Sequence, residues 1–292
     1  MPEQKHLRGI VLLLLAIVCF ASLDVIVKYL STHVPLLVMV WFRYAIHCLL
    51  MIVLLGPTMG RSLLRTKRPW ALTMRGLTLI ATTVLGMAAF RAMPLAETTA
   101  IIFLSPLIVS IAAGPLLGER IGVERWIAVA AGFSGVLLIA RPGSGITTAG
   151  VLFGLGTAAC YSIYQLHTRM LADSENTYAL VFFTALTGTA VVSAGMPFYW
   201  HPFSVDGFDS ALLIAMGMLG GGGHLLLTRA FRHAPASTLA PFLYVQLAWA
   251  TFFGWLFFDH LPDAFAIAGM VVIASSSGGL ALLERRRAAS VG

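Results

Sequence analysis

The chain reads as a succession of apolar runs of about twenty residues, the length that carries a helix across the hydrocarbon core of a bilayer. Short stretches where Pro, Gly and charged residues collect separate the runs. Splitting the sequence at these interruptions predicts ten helices, over 8–30, 36–57, 70–92, 95–117, 124–140, 150–171, 177–200, 207–232, 236–258 and 263–283. The expected fold is therefore an all-α integral membrane protein. Polar connections reach only about a dozen residues, so no extramembrane domain is expected. The first run continues from Gly9 through Asp24 to Leu30 without an A-x-A pattern, which predicts an uncleaved first span.

The pattern also repeats. Displaced by 141 positions, Cys19 falls on Cys160, Phe42 on Phe183, and Ala89-Phe90-Arg91 on Ala230-Phe231-Arg232, with Gly9 on Gly150 and Pro94 on Pro235. Two copies of one unit are predicted, 1–145 and 146–292, each with five helices. An odd number of spans forces the second copy to insert upside down relative to the first. Charge agrees. Lys5 and Arg8, the loop with Arg61, Arg65, Lys67 and Arg68, and Arg285-Arg286-Arg287 all place both termini in the cytoplasm, whereas the Ser31–Pro35 and His201–Asp206 loops carry no Lys or Arg. The basic loop of the first copy corresponds to the uncharged His201–Asp206 loop of the second. Glu119-Arg120 corresponds to the neighbourhood of Asp259-His260, while the second copy gains Arg169, Arg229 and Arg232. Arg91 and Arg232 are expected near opposite surfaces.

Composition narrows the function. The chain is 59% hydrophobic and 11% charged, with mean hydropathy +0.89, far from the roughly 25% charge of a soluble domain. The net charge of +7 sits between apolar runs, which points to the lipid bilayer as partner and not to nucleic acid. Cys19, Cys48 and Cys160 all fall within apolar runs without CxxC spacing, so neither a disulfide framework nor a metal site is expected. No Walker, GxGxxG or HExxH motif occurs, so no cofactor is expected and any transport runs on a gradient.

Ionisable residues at membrane depth are costly and rarely face lipid. Asp24 and Lys28, four apart, share a helix face, where they either neutralise one another or meet a substrate; their counterparts are Gln165 and Arg169. Arg43, whose counterpart is Thr184, is expected to be structural, held by carbonyls or by Asp24, and His47 lies one turn further on. His224, the counterpart of Thr83, follows Gly220-Gly221-Gly222-Gly223, a run suited to close helix packing. Tyr164, Gln165, Tyr244 and Gln246 fall near mid-span, where a Gln amide against lipid is unsatisfied, and Tyr161 and Trp249 lie nearby. A central substrate site lined by Asp24, Thr83, Tyr164, Gln165, His224, Tyr244 and Gln246 is expected, with Lys28 and Arg43 in charge-balancing roles. Pro94, Pro106, Pro115, Pro235 and Pro241 are candidate hinges.

Several segments carry a family resemblance: Phe20-Ala-Ser-Leu-Asp-Val-Ile-Val-Lys28, Trp41-Phe-Arg-Tyr44, and the run from Ala89 to Glu119 with Leu104-Ser-Pro106 and Gly118-Glu-Arg120. Over nearly its whole length the chain resembles the EamA-type branch of the drug/metabolite transporter superfamily. The resemblance implies five-plus-five inverted repeats, cytoplasmic termini in a bacterial inner membrane, and alternating-access transport of a small metabolite. Similarity to exporters of aromatic and other amino acids implies amino-acid export, with vitamins, nucleosides or an S-adenosylmethionine-like metabolite as the alternative. A different chemistry is suggested by Gly132-Phe-Ser-Gly135, which matches the surroundings of an intramembrane serine nucleophile, with His224 or His47 as base.

Overall fold

The computed structural model describes residues 2–117, 122–171, 174–199 and 204–291. Gly118-Glu119-Arg120 and the first half of the His201–Asp206 loop lie outside these residues, as do the side chains of Pro115, Pro241 and Arg285-Arg286-Arg287. The described chain is helical: α1 (Pro2–Leu30), α2 (Leu36–Met59), a 3-10 turn (Gly60–Leu64), α3 (Pro69–Ala92), α4 (Leu95–Ile102), α5 (Ser105–Leu117), α6 (Val123–Ile139), α7 (Thr148–Leu171), α8 (Thr177–Tyr199), α9 (Gly207–His233), α10 (Ala236–Leu243), α11 (Val245–Phe258) and α12 (Ala264–Val291).

Among the described residues, 8 helices are long and apolar enough to cross a membrane, with α4 and the start of α5 counted together. The expected spans 124–140 and 236–258 fall below that length, the first as the 17-residue α6 and the second as α10 and α11. The run 95–117 is interrupted too. Pro106 has no N–H for the Ile102 carbonyl and its ring opposes that carbonyl, so α4 stops there and the Leu104 N–H bonds Ile101 O at 3.0 Å instead. The interruption in the second copy centres on Tyr244, the counterpart of Phe103, and the two rings lie 5.5 Å apart.

Side-chain contacts sort the connections into two ends of the bundle. At one end His33 meets Asp209 (2.9 Å), His260 meets Glu97 (2.9 Å) and Arg141 meets Asp263 (2.8 Å). Each of these side-chain contacts joins the first copy to the second. Thr147 Oγ1 donates to Ala92 O at the same end, at 3.4 Å. At the other end Glu175 Oε1 accepts from Thr66 Oγ1 (2.9 Å) and from the N–H groups of Lys67 (2.9 Å) and Arg68 (3.0 Å). There too Arg232 donates to Tyr178 OH at 2.9 Å, and Gly9 packs against Ala234.

The copies interleave. α1 packs on α9, α3 on α7, α2 on α8 and α9, and α6 on α12, each partnership crossing between copies. The 141-residue displacement exchanges the first two of these pairs. Glycine permits the close crossing of α6 and α12: a Cβ on Gly135 would stand 2.7 Å from Gly269 O. Leu15, Leu49, Val53, Ile127, Leu137 and Phe257 remain exposed around the outside, a surface that only an apolar solvent matches.

Candidate functional site: a central cavity

A cavity of about 220 Å³ lies within the bundle, bordered by α1, α2, α3, α4, α5, α7, α9, α10 and α11. Its lining follows the repeat. Phe20 and Tyr161, Asp24 and Gln165, Thr83 and His224, Gly86 and Leu227, Ile102 and Leu243, and Ser105 and Gln246 are counterparts at the 141-residue displacement, and both members of every pair line the cavity. The two helix interruptions also open onto it, through Phe103, Ser105 and Pro106 on one side and Leu243 and Gln246 on the other.

The glycine run of α9 lets two helices come close at this depth. A Cβ on Gly223 would stand 2.7 Å from Phe20 Cε1, one on Gly221 2.8 Å from His47 Cδ2, and one on Gly220 3.2 Å from Leu23 Cδ1. Larger residues would drive α9 away from α1 and α2, and the His224 imidazole with it. His224 is held edge-on to Phe20 (centroids 5.2 Å) and parallel to His47 (5.8 Å, 5° between planes).

Of the sequence-predicted site residues, the cavity brings together Asp24, Thr83, Gln165, His224 and Gln246. Gln246 Nε2 donates to Asp24 Oδ2 across 3.3 Å, joining α11 to α1, and Thr83 Oγ1 is hydrogen-bonded to Tyr44 OH at 2.8 Å. Tyr164 and Tyr244 are not in the lining. Successive helical residues point about 100° apart, so Gln165 faces the cavity with Tyr161, four residues away, while Tyr164 turns behind. There Tyr164 stacks on Tyr161 at 5.8 Å and accepts a hydrogen bond from Arg75 Nη2 at 2.6 Å. Tyr244 packs against Phe103.

Both charge-balancing expectations change. Lys28 does not neutralise Asp24: its Nζ donates to the Met93 carbonyl at 2.7 Å, satisfying a group at the end of α3 within reach of its long stem. Arg43 is held by neither carbonyls nor an Asp24 ion pair. Among the described residues it makes no hydrogen bond or ion pair, and it lines the cavity.

The sequence reading passed over two buried charges. Arg75, 3% exposed, donates to Thr168 Oγ1 (2.8 Å), Leu180 O (2.8 Å), Thr184 Oγ1 (2.5 Å) and Tyr164 OH, so the neutral counterpart of Arg43 serves Arg75 instead. Glu97 is equally buried, and among the described residues its second oxygen has no hydrogen-bond partner. Both were visible as ionisable residues inside apolar runs. Ser134 faces outward and donates to Ala131 O at 2.7 Å, and the glycines around it serve packing: Gly132 abuts Leu107 and Gly135 crosses Gly269. Among the described residues no cluster of three or more His, Cys, Asp or Glu side chains could hold a metal.

Apolar helices closed around a largely apolar cavity that holds a few polar groups, with matched positions of two copies lining it, define a multi-pass membrane transporter. The chain belongs to the EamA-like transporter family, whose model matches residues 7–141 and again 148–281. It is 31% identical over 268 residues to the pseudopaline exporter CntI of Pseudomonas aeruginosa, covering 91% of this chain and 93% of that one. It is 26% identical to the S-adenosylmethionine uptake transporter of Rickettsia prowazekii, over 92% of this chain and 91% of that one. It is 30% identical to the riboflavin transporter of Rhizobium johnstonii, over 97% and 94%. A crystal structure 20% identical in sequence shares the fold, with a TM-score of 0.68 over 95% of this chain and 98% of the other. These relatives are transporters, and the chain is not an enzyme.

Proposed function

We propose that the protein is a secondary transporter of small metabolites working by alternating access, with the central cavity as its substrate site, and that it exports amino acids with aromatic or hydrophobic side chains. The observation that carries this reading is the pairwise matching of the cavity lining across the two copies, since a site on the axis between copies is reached by rocking one against the other. Cavity size favours an amino acid. About 220 Å³ is less than the roughly 300–1,000 Å³ of pockets that enclose drug-sized ligands, and Leu23, Leu79, Phe90 and Phe103 supply apolar wall. The names of the relatives favour a second reading, in which a vitamin or an S-adenosylmethionine-like metabolite is carried.

The same proposal includes ten spans in two inverted copies, 1–145 and 146–292, across a bacterial inner membrane. In support, α1 starts at the end marked by Ala234 and α7, its counterpart, starts at the opposite end beside Ala92. The end holding Gly9 also holds Arg61, Arg65, Lys67 and Arg68, as cytoplasmic termini require. Counterflow in proteoliposomes tests the function: preloaded unlabelled phenylalanine, leucine or tryptophan should accelerate entry of the radiolabelled form. Exchange of riboflavin or S-adenosylmethionine with none of the amino acids would overturn the substrate assignment in favour of the second reading.

A further inference from the structure

Asp24 on α1 and Arg43 on α2 line the same cavity, yet they form no ion pair with one another. Elsewhere the chain brings opposite charges together closely, as in Arg141–Asp263 at 2.8 Å. Lys28, the other cation on the Asp24 face, is committed to the Met93 carbonyl. The Asp24 carboxylate has one long hydrogen bond, from the Gln246 amide at 3.3 Å, and the Arg43 guanidinium has none among the described residues. A low-dielectric bundle makes each uncompensated charge costly, and a lone guanidinium retains all its donors for a ligand.

We propose that the cavity selects ligands carrying a cationic nitrogen and a carboxylate together, with Asp24 and Gln246 holding the cation and Arg43 the carboxylate. This rests on the reading of the cavity as the substrate site. A ligand with only a cationic group leaves Arg43 unmatched and repelling, and a ligand with only a carboxylate does the same through Asp24. A dipolar ligand satisfies both, neutralising the site without adding net charge to the membrane interior. Gln246 serves as an acceptor through its carbonyl oxygen while its amide holds Asp24 in place. The Arg43 stem lies along Gly220, where an added Cβ would stand 3.8 Å from its Nε, in ordinary contact.

The test uses purified full-length protein in proteoliposomes and three probes sharing one ring: phenylalanine, phenethylamine and 3-phenylpropionate. Phenylalanine should compete for exchange at least about tenfold better than either partial analogue, the factor that one charge-assisted hydrogen bond supplies. In Asp24→Asn, phenylalanine should weaken about ten- to hundredfold while 3-phenylpropionate holds or improves; in Arg43→Gln the preserved analogue should be phenethylamine. Equal competition by all three probes in the parent overturns the proposal, and this measurement needs no variant to fold. So does an equal loss of all three probes in both variants when thermal unfolding in detergent matches the parent. Exchange of riboflavin without any dipolar ligand overturns the charge assignment and leaves the transporter reading standing. Exchange of S-adenosylmethionine without phenylalanine removes the amino-acid reading alone, and the charge assignment is then decided by its decarboxylated and deaminated analogues. Absence of all exchange, with folded protein, overturns both.

Discussion

Replacing Arg75 by Met is expected to destabilise the fold through one identifiable group. The guanidinium is 3% exposed and donates to four acceptors on α7 and α8, with its charge 4.4 Å above the Tyr164 ring. When it goes, Thr184 still donates to Leu180 O at 2.9 Å and Thr168 to Tyr164 O at 2.8 Å, so neither hydroxyl is stranded. The Tyr164 hydroxyl is. An orphaned buried hydroxyl costs about 1–3 kcal/mol. The lost cation–π contact adds about 2 kcal/mol, and relief of the buried charge offsets part of the sum. Tyr164→Phe alone strands an Arg75 N–H instead, at about 1.5–3 kcal/mol. In the double variant neither group is stranded, so the second substitution should cost almost nothing, giving a coupling of about 2 kcal/mol. Reversible unfolding in mixed detergent and SDS, followed by circular dichroism, measures all four corners of the cycle. Additivity within about 0.5 kcal/mol would refute the claim that Tyr164 belongs to the Arg75 network.

Gly223→Val should displace the Phe20 ring, which an added Cβ would meet at 2.7 Å, costing about 1–3 kcal/mol and weakening substrate exchange; Gly222→Ala, facing open space, should change neither. Thr32→Cys and Ser204→Cys, both exposed, should label from outside intact cells in a background lacking native thiols, and labelling only after lysis would reverse the proposed orientation. Arg141 holds the exposed Asp263 carboxyl down from its ordinary 3.8 to about 2, chiefly by hydrogen bonding, so the stabilisation is complete above pH 3.8 and fades as pH falls toward 2. Carbon-13 NMR of labelled aspartate should show that titration near 2 in the parent and higher in Arg141→Gln, short of the ordinary value because the Ala266 N–H still donates to the carboxylate; an unchanged midpoint would refute the assignment.

Apolar run length and the 141-residue displacement were enough to predict helices and duplication, because solvent and symmetry act on whole segments, while the family followed from the resemblance of particular segments such as Phe20–Lys28 and Trp41–Tyr44. Individual side chains depended on finer geometry. Asp24, Gln165 and Gln246 were legible because polar groups at mid-depth need a cavity or a neighbour. Tyr164 was misplaced by one position, where one residue is a 100° rotation. Lys28 shares a helical face with Asp24, but spacing along α1 says nothing about the Met93 carbonyl on α3. Arg75 stands inside the apolar run 70–92 and was visible there as an ionisable residue, but spacing along α3 does not name its partners on α7 and α8. The interruption at Pro106 follows from its missing N–H; the equivalent one at Tyr244 falls three residues past Pro241, a candidate hinge whose sequence position does not by itself fix where the helix breaks.

Fusion of the two copies has a consequence for heredity. In a dimer of identical subunits every position beside the axis appears twice, so a carboxylate gained at one site arrives with its twin opposite, and like charges accumulate. Once both copies lie in one gene, each can drift alone. Here Asp24 faces the site with Gln165 as its counterpart, Arg43 with a counterpart, Thr184, that has been given over to Arg75, and Ser105 stands where the other copy has Gln246. The outline of the cavity keeps the symmetry of the repeat while its electrical character does not, and under its proposed role as the substrate site a cargo with a head and a tail is held in a single orientation.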